Sequence, residues 1–550
     1  MSPPERLRIA GGAVHDPANG VDGEVRDVCI ENGRIVESLP PDAPRLDARG
    51  MIVMPGGVDI HAHFASSACN HARRVLPEEH AADPVRAPAL LEGEGPPRSG
   101  TGGTVPSTFS TGYRYAGLGY TTAFDAAVAP LMARHSHAEL DDTPILDAGF
   151  FVLMGNDEYL LRLIDAGERD RARDYAAWLL GATGGYAIKI VNPGGIEAWK
   201  AGQRNLTELD QPLAGRRATP RAILETLADA ANALRLPHPV HIHCNNLGRP
   251  GNAATTLATM DALSGRRAHF THLQFHAYGG EGGRWASGAA AVIERINAHP
   301  EFSADVGQVM FGPATTLTAD GPVEYLLQAA SGRKWVNIDV ELETGCGIVP
   351  FSYREKIAVS TLQWAVGLEL FLLAKDPWRV VLSTDHPNGG SFLSYPALIR
   401  LLMDRSARDE ALKAANPKLL AGSALADGLA REYTLNEVAI VTRAGPARLL
   451  GLRHKGHLGP GADADVTVYA RDPDIAKMFA TPRYVIKAGR LVVEEGQLRR
   501  APRGSRLHLR PGYDPAVLRD LRRHFEAFST VSFDNYAVRE VPGPPLEITG

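Results

Sequence analysis

The sequence is poor in cysteine and has no excess of positive charge. Four of the 550 residues are cysteine (Cys29, Cys69, Cys244 and Cys346), and they are far apart with no C-x-x-C motif. This spacing argues against a disulfide framework or an iron–sulfur site, and it fits a reducing cytoplasm. The formal net charge is -5, so we expect no nucleic-acid partner.

Long apolar segments are also missing. No apolar run is long enough to cross a bilayer, and residues 1–6 lack the apolar stretch of a secretory signal. We therefore expect no membrane span and a cytoplasmic location. With 44% hydrophobic and 22% charged residues in 550, the composition is that of a globular protein with a large core and accessory segments.

Short β-strands are predicted near both ends of the chain. The segments with strand-like apolar patterns are 7–17, 25–37, 464–469, 484–487 and 491–493. Asn32-Gly33 lies between two apolar segments and is a hairpin signal. We predict that residues 1–52 and 450–504 together build one small β-sandwich domain, and that residues 505–550 form a C-terminal tail.

The segment between these ends, residues 53–449, alternates apolar strands with helical stretches. Eight strands are predicted, near 52–60, 121–128, 145–154, 186–191, 238–244, 268–273, 302–309 and 379–385. This α/β pattern is typical of parallel βα units and predicts a (β/α)8 barrel of the TIM type. A bare barrel needs roughly 250 residues, so we expect insertions, which we place near 64–118, 195–220, 310–350 and 405–435.

An H-x-H motif, His61-Ala62-His63, lies at the end of the first predicted barrel strand. In extended backbone, residues i and i+2 point to the same side. Both imidazoles could therefore bind one metal ion. Taken alone, the motif is equally compatible with a structural or surface pair.

Lys189 is flanked by apolar residues on a predicted buried strand, 186–191. An unpaired buried charge is costly, so this lysine needs an explanation. Buried lysines can lose their proton, and a neutral amine can react with carbon dioxide to give a carbamate that bridges two cations. The alternative is that Lys189 reaches solvent or pairs with an acid.

Two further strand ends carry paired histidines. In the segment 240–246 we favour His243 as a metal ligand, because it is nearer the carboxyl end than His241. In the next strand we favour His272 and interpret His269 as structural.

The last predicted strand and one loop add two more candidates. Asp385 closes the apolar segment that begins at Val380 and is either a metal ligand or a helix cap. His276 falls in the loop after His272, where it contacts substrate or nothing.

The series H-x-H, Lys, His, His, Asp at successive strand ends resembles the amidohydrolase superfamily, in the branch with two metal ions and a carboxylated lysine that includes dihydroorotase and hydantoinase. The segment 459–466 also resembles that superfamily's small β domain. The resemblance covers about residues 7–500. It implies two zinc ions and a metal site made by His61, His63, carboxylated Lys189, His243, His272 and Asp385.

Other motifs resemble a narrower family, which comprises the A subunits of formylmethanofuran dehydrogenase and the alpha subunits of the bacterial formyltransferase/hydrolase complex. The motifs are His63-Phe64-Ala65-Ser66-Ser67, Thr271-His272-Leu273-Gln274-Phe275 and Tyr278-Gly279-Gly280. This resemblance implies hydrolysis of N-formylmethanofuran, or its bacterial analogue, to formate and free amine, in a complex with other subunits. Asp385 would then be catalytic as well, accepting a proton from the attacking water and passing it to the leaving amine.

Three alternatives stay open at this stage. The same site could run formate condensation, as in the dehydrogenase. It could instead hydrolyse a cyclic amide, although the insertions near 64–118 and 310–350 make the chain longer than hydantoinases and dihydroorotases. A non-catalytic scaffold protein is the third alternative, and the intact set of candidate ligands argues against it.

Overall fold

The computed structural model describes residues 5–548 except 86–97, 204–205, 207, 319–320, 335, 341–343 and 421–422. A parallel eight-stranded sheet forms its centre. In chain order, barrel strands 1 to 8 are Gly57–Ala62, Tyr120–Val128, Asp147–Leu153, Ala187–Val191, Val240–His243, Ala268–Phe270, Phe302–Asp305 and Val380–Val381. Each strand pairs with the next, and a parallel bridge between Ala62 and His386 joins the two ends. The predicted barrel is confirmed.

The first barrel strand differs from its prediction. The predicted segment 52–60 is divided at Gly56 and Gly57, because the Gly56 N–H donates to the Asp465 carbonyl whereas the Gly57 N–H donates to the Gly119 carbonyl, each at 2.8 Å. A β-carbon at Gly57 would lie 2.6 Å from the ring of Tyr120. The paired glycines therefore let the chain pass from one sheet directly into the other.

Helices and short accessory strands connect the barrel strands. The helices are Ser67–Val75, Pro77–Ala82, Thr108–Gly117, Ala133–Asp142, Glu158–Ala166, Arg169–Thr183, Gly195–Lys200, Pro220–Ala233, Ala253–Ala262, Ala289–Ala298, Gly321–Ser331, Ala358–Leu373, Tyr395–Met403, Arg405–Ala414, Leu435–Ala439, Gly445–Leu450, Ile475–Ala480, Val517–Phe528 and Phe533–Tyr536. The accessory strands are Pro84–Val85, Gly100–Thr101, Tyr278–Gly279, Ala286–Ser287, Gly312–Thr318, Val336–Val340 and Thr344–Tyr353. Local signals start several helices: Asp157, for example, accepts the N–H of Leu160 at 2.7 Å.

Both chain ends contribute to a second, mixed sheet of nine strands. Its strands are Arg6–Asp16, Val21–Glu31, Arg34–Val36, Arg45–Asp47, Ile52–Pro55, Val466–Tyr469, Tyr484–Lys487, Arg490–Glu494 and Gln497–Leu498. Ile52–Pro55 pairs with Arg6–Asp16 on one side and with Val466–Tyr469 on the other. The sheet curls back, since the Ile35 N–H donates to the Ala462 carbonyl at 2.9 Å, and it encloses an apolar core of its own.

A buried ionic cluster joins this sheet to the barrel. The Lys487 Nζ lies 2.5 Å from Asp147, in barrel strand 3, and 2.8 Å from Asp465. Lys455 contacts the same two carboxylates. Since all four side chains are nearly inaccessible to solvent, each charge is compensated by the others.

The C-terminal tail is docked on the barrel. Ala148 in barrel strand 3 accepts the Leu507 N–H, and its own N–H donates to the Ser505 carbonyl, both at 2.9 Å. The tail contains the helix Val517–Phe528, and just before it the Asp514 carboxylate accepts the N–H of Ala516 at 2.9 Å. Among the helices that the structure describes, none combines the length and the apolar character that a membrane span requires.

Candidate metal centre

The six residues predicted as metal ligands lie together at the carboxyl ends of the barrel strands. Their side chains come from barrel strand 1 and the residue after it, from strands 4 and 5, and from the segments that follow strands 6 and 8. The residues are His61, His63, Lys189, His243, His272 and Asp385, and all are buried. This is the end of a (β/α)8 barrel at which enzyme active sites are found.

A cavity of about 40 Å³ opens at this site. Five of the six residues line it, all except His61. Apolar side chains of Leu247 and Phe275, together with residues 316–318, complete the wall. Polar groups that converge in a small enclosed cavity are typical of a catalytic site.

His61, His63 and Asp385 are arranged as ligands of one cation. The Asp385 Oδ1 lies 2.9 Å from the His61 Nε2 and 3.0 Å from the His63 Nε2. Although the Asp385 Oδ1 is close to it, the His61 Nε2 makes no hydrogen bond of acceptable geometry with any of the described residues. A carboxylate oxygen and an unpaired imidazole nitrogen facing each other fit a metal ion such as zinc.

A chain of buried imidazoles fixes which nitrogen of His61 faces the site. The His238 Nδ1–H donates to the Leu449 carbonyl at 2.8 Å, since a carbonyl only accepts. Burial lowers the pKa of His238 and His241 well below the ordinary value, so each ring is neutral. His241 therefore donates through Nδ1 to the His238 Nε2 at 3.0 Å.

The direction of the next hydrogen bond, from His61 to His241, follows in the same way. The His241 Nε2 is then an acceptor, and it lies 2.9 Å from the His61 Nδ1. The Thr271 hydroxyl oxygen also contacts the His61 Nδ1. His61 thus carries a proton on Nδ1, and its Nε2 is the nitrogen that faces the site, which is the orientation that a metal ligand requires.

Lys189 has the properties needed for carboxylation. Its Nζ is buried without a hydrogen-bond partner among the described residues. Burial lowers its pKa to about 7, against the opposing effect of Asp305, Asp385 and Asp125. A substantial fraction of the amine is therefore neutral near pH 7 and can act as a nucleophile.

His243 and His272 lie side by side, with ring centroids 4.7 Å apart. Burial lowers the pKa of both imidazoles well below the usual value, so both are neutral and can offer a lone pair to a metal. By contrast, both ring nitrogens of His241 are engaged by other imidazoles. His269 is likewise engaged, by Ser303 and Asp305.

Asp305, the last residue of barrel strand 7, is a further residue of the site that the sequence did not predict. Its Oδ2 lies 3.2 Å from the His269 Nε2 and 3.4 Å from the His61 Nδ1. Its Oδ1 accepts the backbone N–H of His272 at 3.1 Å. Asp305 thereby positions two candidate ligands. Its one sequence signal is that it is a single acid within the predicted strand 302–309.

Two polar residues that are not candidate ligands, Asp125 and Asn388, fix the positions of residues of the site. The Asp125 Oδ2 accepts three successive backbone N–H groups, those of residues 64–66 after the H-x-H motif, at 2.7 to 2.9 Å. Asn388 accepts the Leu317 N–H at 2.6 Å and donates to the Asp385 Oδ1 at 3.0 Å. The insertion strand Gly312–Thr318 is thus connected directly to Asp385.

Comparison with known proteins agrees with this arrangement. A model described as an amidohydrolase family matches residues 46–493. The chain belongs to the amidohydrolase family. A part of a dihydroorotase from Syntrophus aciditrophicus also matches this amidohydrolase, with 43% identity over 65 residues, or 11% of this chain and 15% of that protein.

Two curated relatives match nearly the whole amidohydrolase. Protein FwdA of Methanocaldococcus jannaschii is 42% identical over 555 residues, which cover 97% of this chain and 96% of the relative. The A subunit of the formyltransferase/hydrolase complex Fhc of Methylorubrum extorquens is 40% identical over 547 residues, covering 98% and 97%. The predicted resemblance to this narrower family is confirmed.

Solved structures extend the comparison to the fold. A chain of the formyltransferase/hydrolase complex FhcABCD from Methylorubrum extorquens, crystallised with methylofuran, superposes with a TM-score of 0.91 at 37% identity over 99% of this chain and 100% of that one. An N-acyl-D-glutamate deacylase from Bordetella bronchiseptica superposes with a TM-score of 0.53 at 18% identity, covering 91% and 99%. The second likeness concerns the fold alone.

Proposed function

We propose that this amidohydrolase cleaves the formamide bond of N-formylmethanofuran, or of its bacterial analogue, to formate and the free amine. It would do so in the cytoplasm, as one subunit of a formyltransferase/hydrolase complex. The observation that carries the proposal is the near-full-length match to a chain of a complex crystallised with methylofuran. The cluster of candidate ligands beneath one small cavity supplies a matching site.

We assign two zinc ions to this site. His61, His63 and Asp385 would hold one ion, His243 and His272 the other, and Lys189, carboxylated on Nζ, would bridge them. The donor set fits zinc, which accepts imidazole and carboxylate ligands. When bound, the two ions would activate a water molecule and polarise the formyl carbonyl.

Asp385 carries the proton transfer in this proposal. Its carboxylate borders the cavity, so it can accept a proton from the attacking water and return it to the nitrogen of the leaving amine. The Asn388 amide, itself oriented by the Leu317 N–H, holds the Asp385 Oδ1 in place. The carboxylate therefore needs little reorganisation during the reaction.

The cavity matches the reacting part of such a substrate. At about 40 Å³ it has room for a group of the size of a formyl group, while the furan and its tail would lie toward the mouth. The apolar walls at Leu247 and Phe275 would limit the access of bulk water.

Formate release tests the proposal. The purified protein is incubated with N-formylmethanofuran or a formylated furfurylamine, and in parallel with hydantoin and dihydroorotate. We expect formate from the formamides and no turnover of the cyclic amides. Turnover of a cyclic amide without formate release would instead support a hydantoinase-like function. The dehydrogenase-type alternative is tested by supplying formate and free amine and measuring condensation.

A further inference from the structure

His276 is a buried histidine that lies beside the candidate metal ligands but is not one of the six. It ends the short turn Leu273–His276 after barrel strand 6. Its side chain is fully buried, and neither ring nitrogen has a hydrogen-bond partner among the described residues. Buried polar atoms without a partner are rare in folded proteins, because their lost hydration is not replaced. The ring is therefore available to a ligand that the polypeptide itself does not supply.

The imidazoles nearest to it are candidate metal ligands. The His276 ring centroid is 5.0 Å from that of His243 and 5.2 Å from that of His272. One ring nitrogen from each of the three residues lies within 4.8 Å of the other two. Zinc–nitrogen bonds of about 2.0–2.1 Å in tetrahedral geometry place two nitrogens about 3.3 Å apart, so small side-chain rotations would bring all three onto one ion.

The electrostatics of the three rings agree with this geometry. Burial lowers the pKa of the His276 imidazole well below the ordinary value, and proximity to His243 and Lys189 lowers it further. The ring is thus neutral, like those of His243 and His272. A neutral imidazole offers the lone pair that a metal ion needs.

We propose that His276 is a third imidazole ligand, beside His243 and His272, of one of the two metal ions. This inference rests on the proposed function for the presence of the metal ions. It gives the two ions different surroundings: one is held by three imidazoles, and the other by the H-x-H motif and Asp385. The ion with three imidazoles should be the more resistant to chelators.

Two substitutions separate metal binding from packing. His276→Phe keeps a ring but removes both nitrogens, whereas His276→Cys retains a donor atom in a smaller side chain. His137→Phe is the matched control, because His137 is also a buried histidine but lies on the helix Ala133–Asp142, with its Nε2 donating to the Thr183 carbonyl at 2.9 Å.

Zinc content after dialysis against a chelator, and the absorption spectrum of the cobalt-substituted protein, are the readouts. We expect about two zinc ions per chain in the wild type, His137→Phe and His276→Cys, and about one in His276→Phe. The cobalt form of His276→Cys should gain a thiolate-to-metal band in the near ultraviolet.

The inference is wrong if His276→Phe keeps two zinc ions with wild-type resistance to the chelator. It is equally wrong if the cobalt form of His276→Cys lacks the thiolate band. A loss of formate release alone, with both metals retained, would place His276 against substrate instead. If His276→Phe fails to fold, the thiolate band decides. Two zinc ions in a wild type that releases no formate, even with the remaining subunits of the complex added, would overturn the hydrolase proposal and leave this inference standing.

Discussion

The Nδ1 of His61 lies 2.9 Å from the Nε2 of His241, and this contact connects the H-x-H motif to a row of buried imidazoles along the barrel interior. His238 ends the row at the Leu449 carbonyl. The direction of each hydrogen bond follows from that carbonyl, so the proton position on His61 is determined at the far end of the row.

Replacing His241 with Phe should weaken zinc binding. The change removes one acceptor for the His61 Nδ1–H, and partners of this kind are typically worth about 10- to 100-fold in metal affinity. Competition with a chromophoric chelator measures the effect. Because Thr271 also contacts the His61 Nδ1, a double variant with Thr271→Val should lose more. Unchanged zinc affinity in the double variant would contradict the orienting role of the row.

Lys189→Ala should lose activity and regain part of it when a short carboxylic acid such as acetate or propionate is added. The small acid can occupy the space of the missing side chain and supply the bridging carboxylate. Acetamide, of similar shape but neutral, is the control and should not restore activity. Restoration by acetamide, or full activity without any addition, would rule out a carboxylated lysine.

Metal reconstitution of the wild type should depend on pH through the same lysine. Burial lowers the pKa of Lys189 to about 7, and carbon dioxide reacts with the neutral amine alone. The neutral fraction rises as pH increases through about 7, so reactivation of the apoprotein with zinc and bicarbonate should be faster at pH 8 than at pH 6. A rate that is independent of pH and of bicarbonate would contradict the prediction.

Asp385→Asn should abolish turnover while the fold remains intact. The amide keeps the shape of the side chain but cannot accept the proton, and general acid–base catalysis is worth roughly 10² to 10⁴ in rate. Formate release and circular dichroism are measured on the same sample, with zinc content assayed because Asp385 is also a proposed ligand. Substantial residual turnover would reject its role in proton transfer.

Lys487→Met should destabilise the protein by about 3 kcal/mol. It leaves the buried carboxylates of Asp147 and Asp465 with one neighbouring lysine instead of two. Burial opposes ionisation of Asp147, but Lys455 and Lys487 outweigh it and hold the pKa below its usual range. This contribution to stability is therefore present above about pH 4 and is lost as pH falls. In urea unfolding, the variant should therefore lose less stability than the wild type as pH falls from about 5 toward 2. Lys477→Met, at an exposed pair, is the control.

The sequence predicted the parts of the site that carry a local signal. A lysine inside an apolar strand needs an explanation, and Lys189 is predicted as a candidate for that reason. His61 and His63 are predicted from their spacing, and the eight strands from alternating apolar segments. These signals depend on a few neighbouring residues, so they are visible without the fold.

What the sequence could not predict depends on contacts between distant segments. Asp305 is a single acid with no motif, and its role follows from the approach of His61 and His269. Asn388 became relevant through the insertion strand that contains Leu317. The pairing of residue 507 with Ala148 in barrel strand 3 likewise leaves no pattern in the sequence of the tail.

A zinc titration of the apoprotein in bicarbonate buffer, with formate release from N-formylmethanofuran measured at each point, tests whether hydrolysis depends on two bound metal ions. We expect little activity up to about one zinc ion per chain and a rise to full activity as the second ion binds. Full activity in the metal-free protein would contradict the central claim. So would two bound zinc ions without formate release, even with the remaining subunits of the complex added.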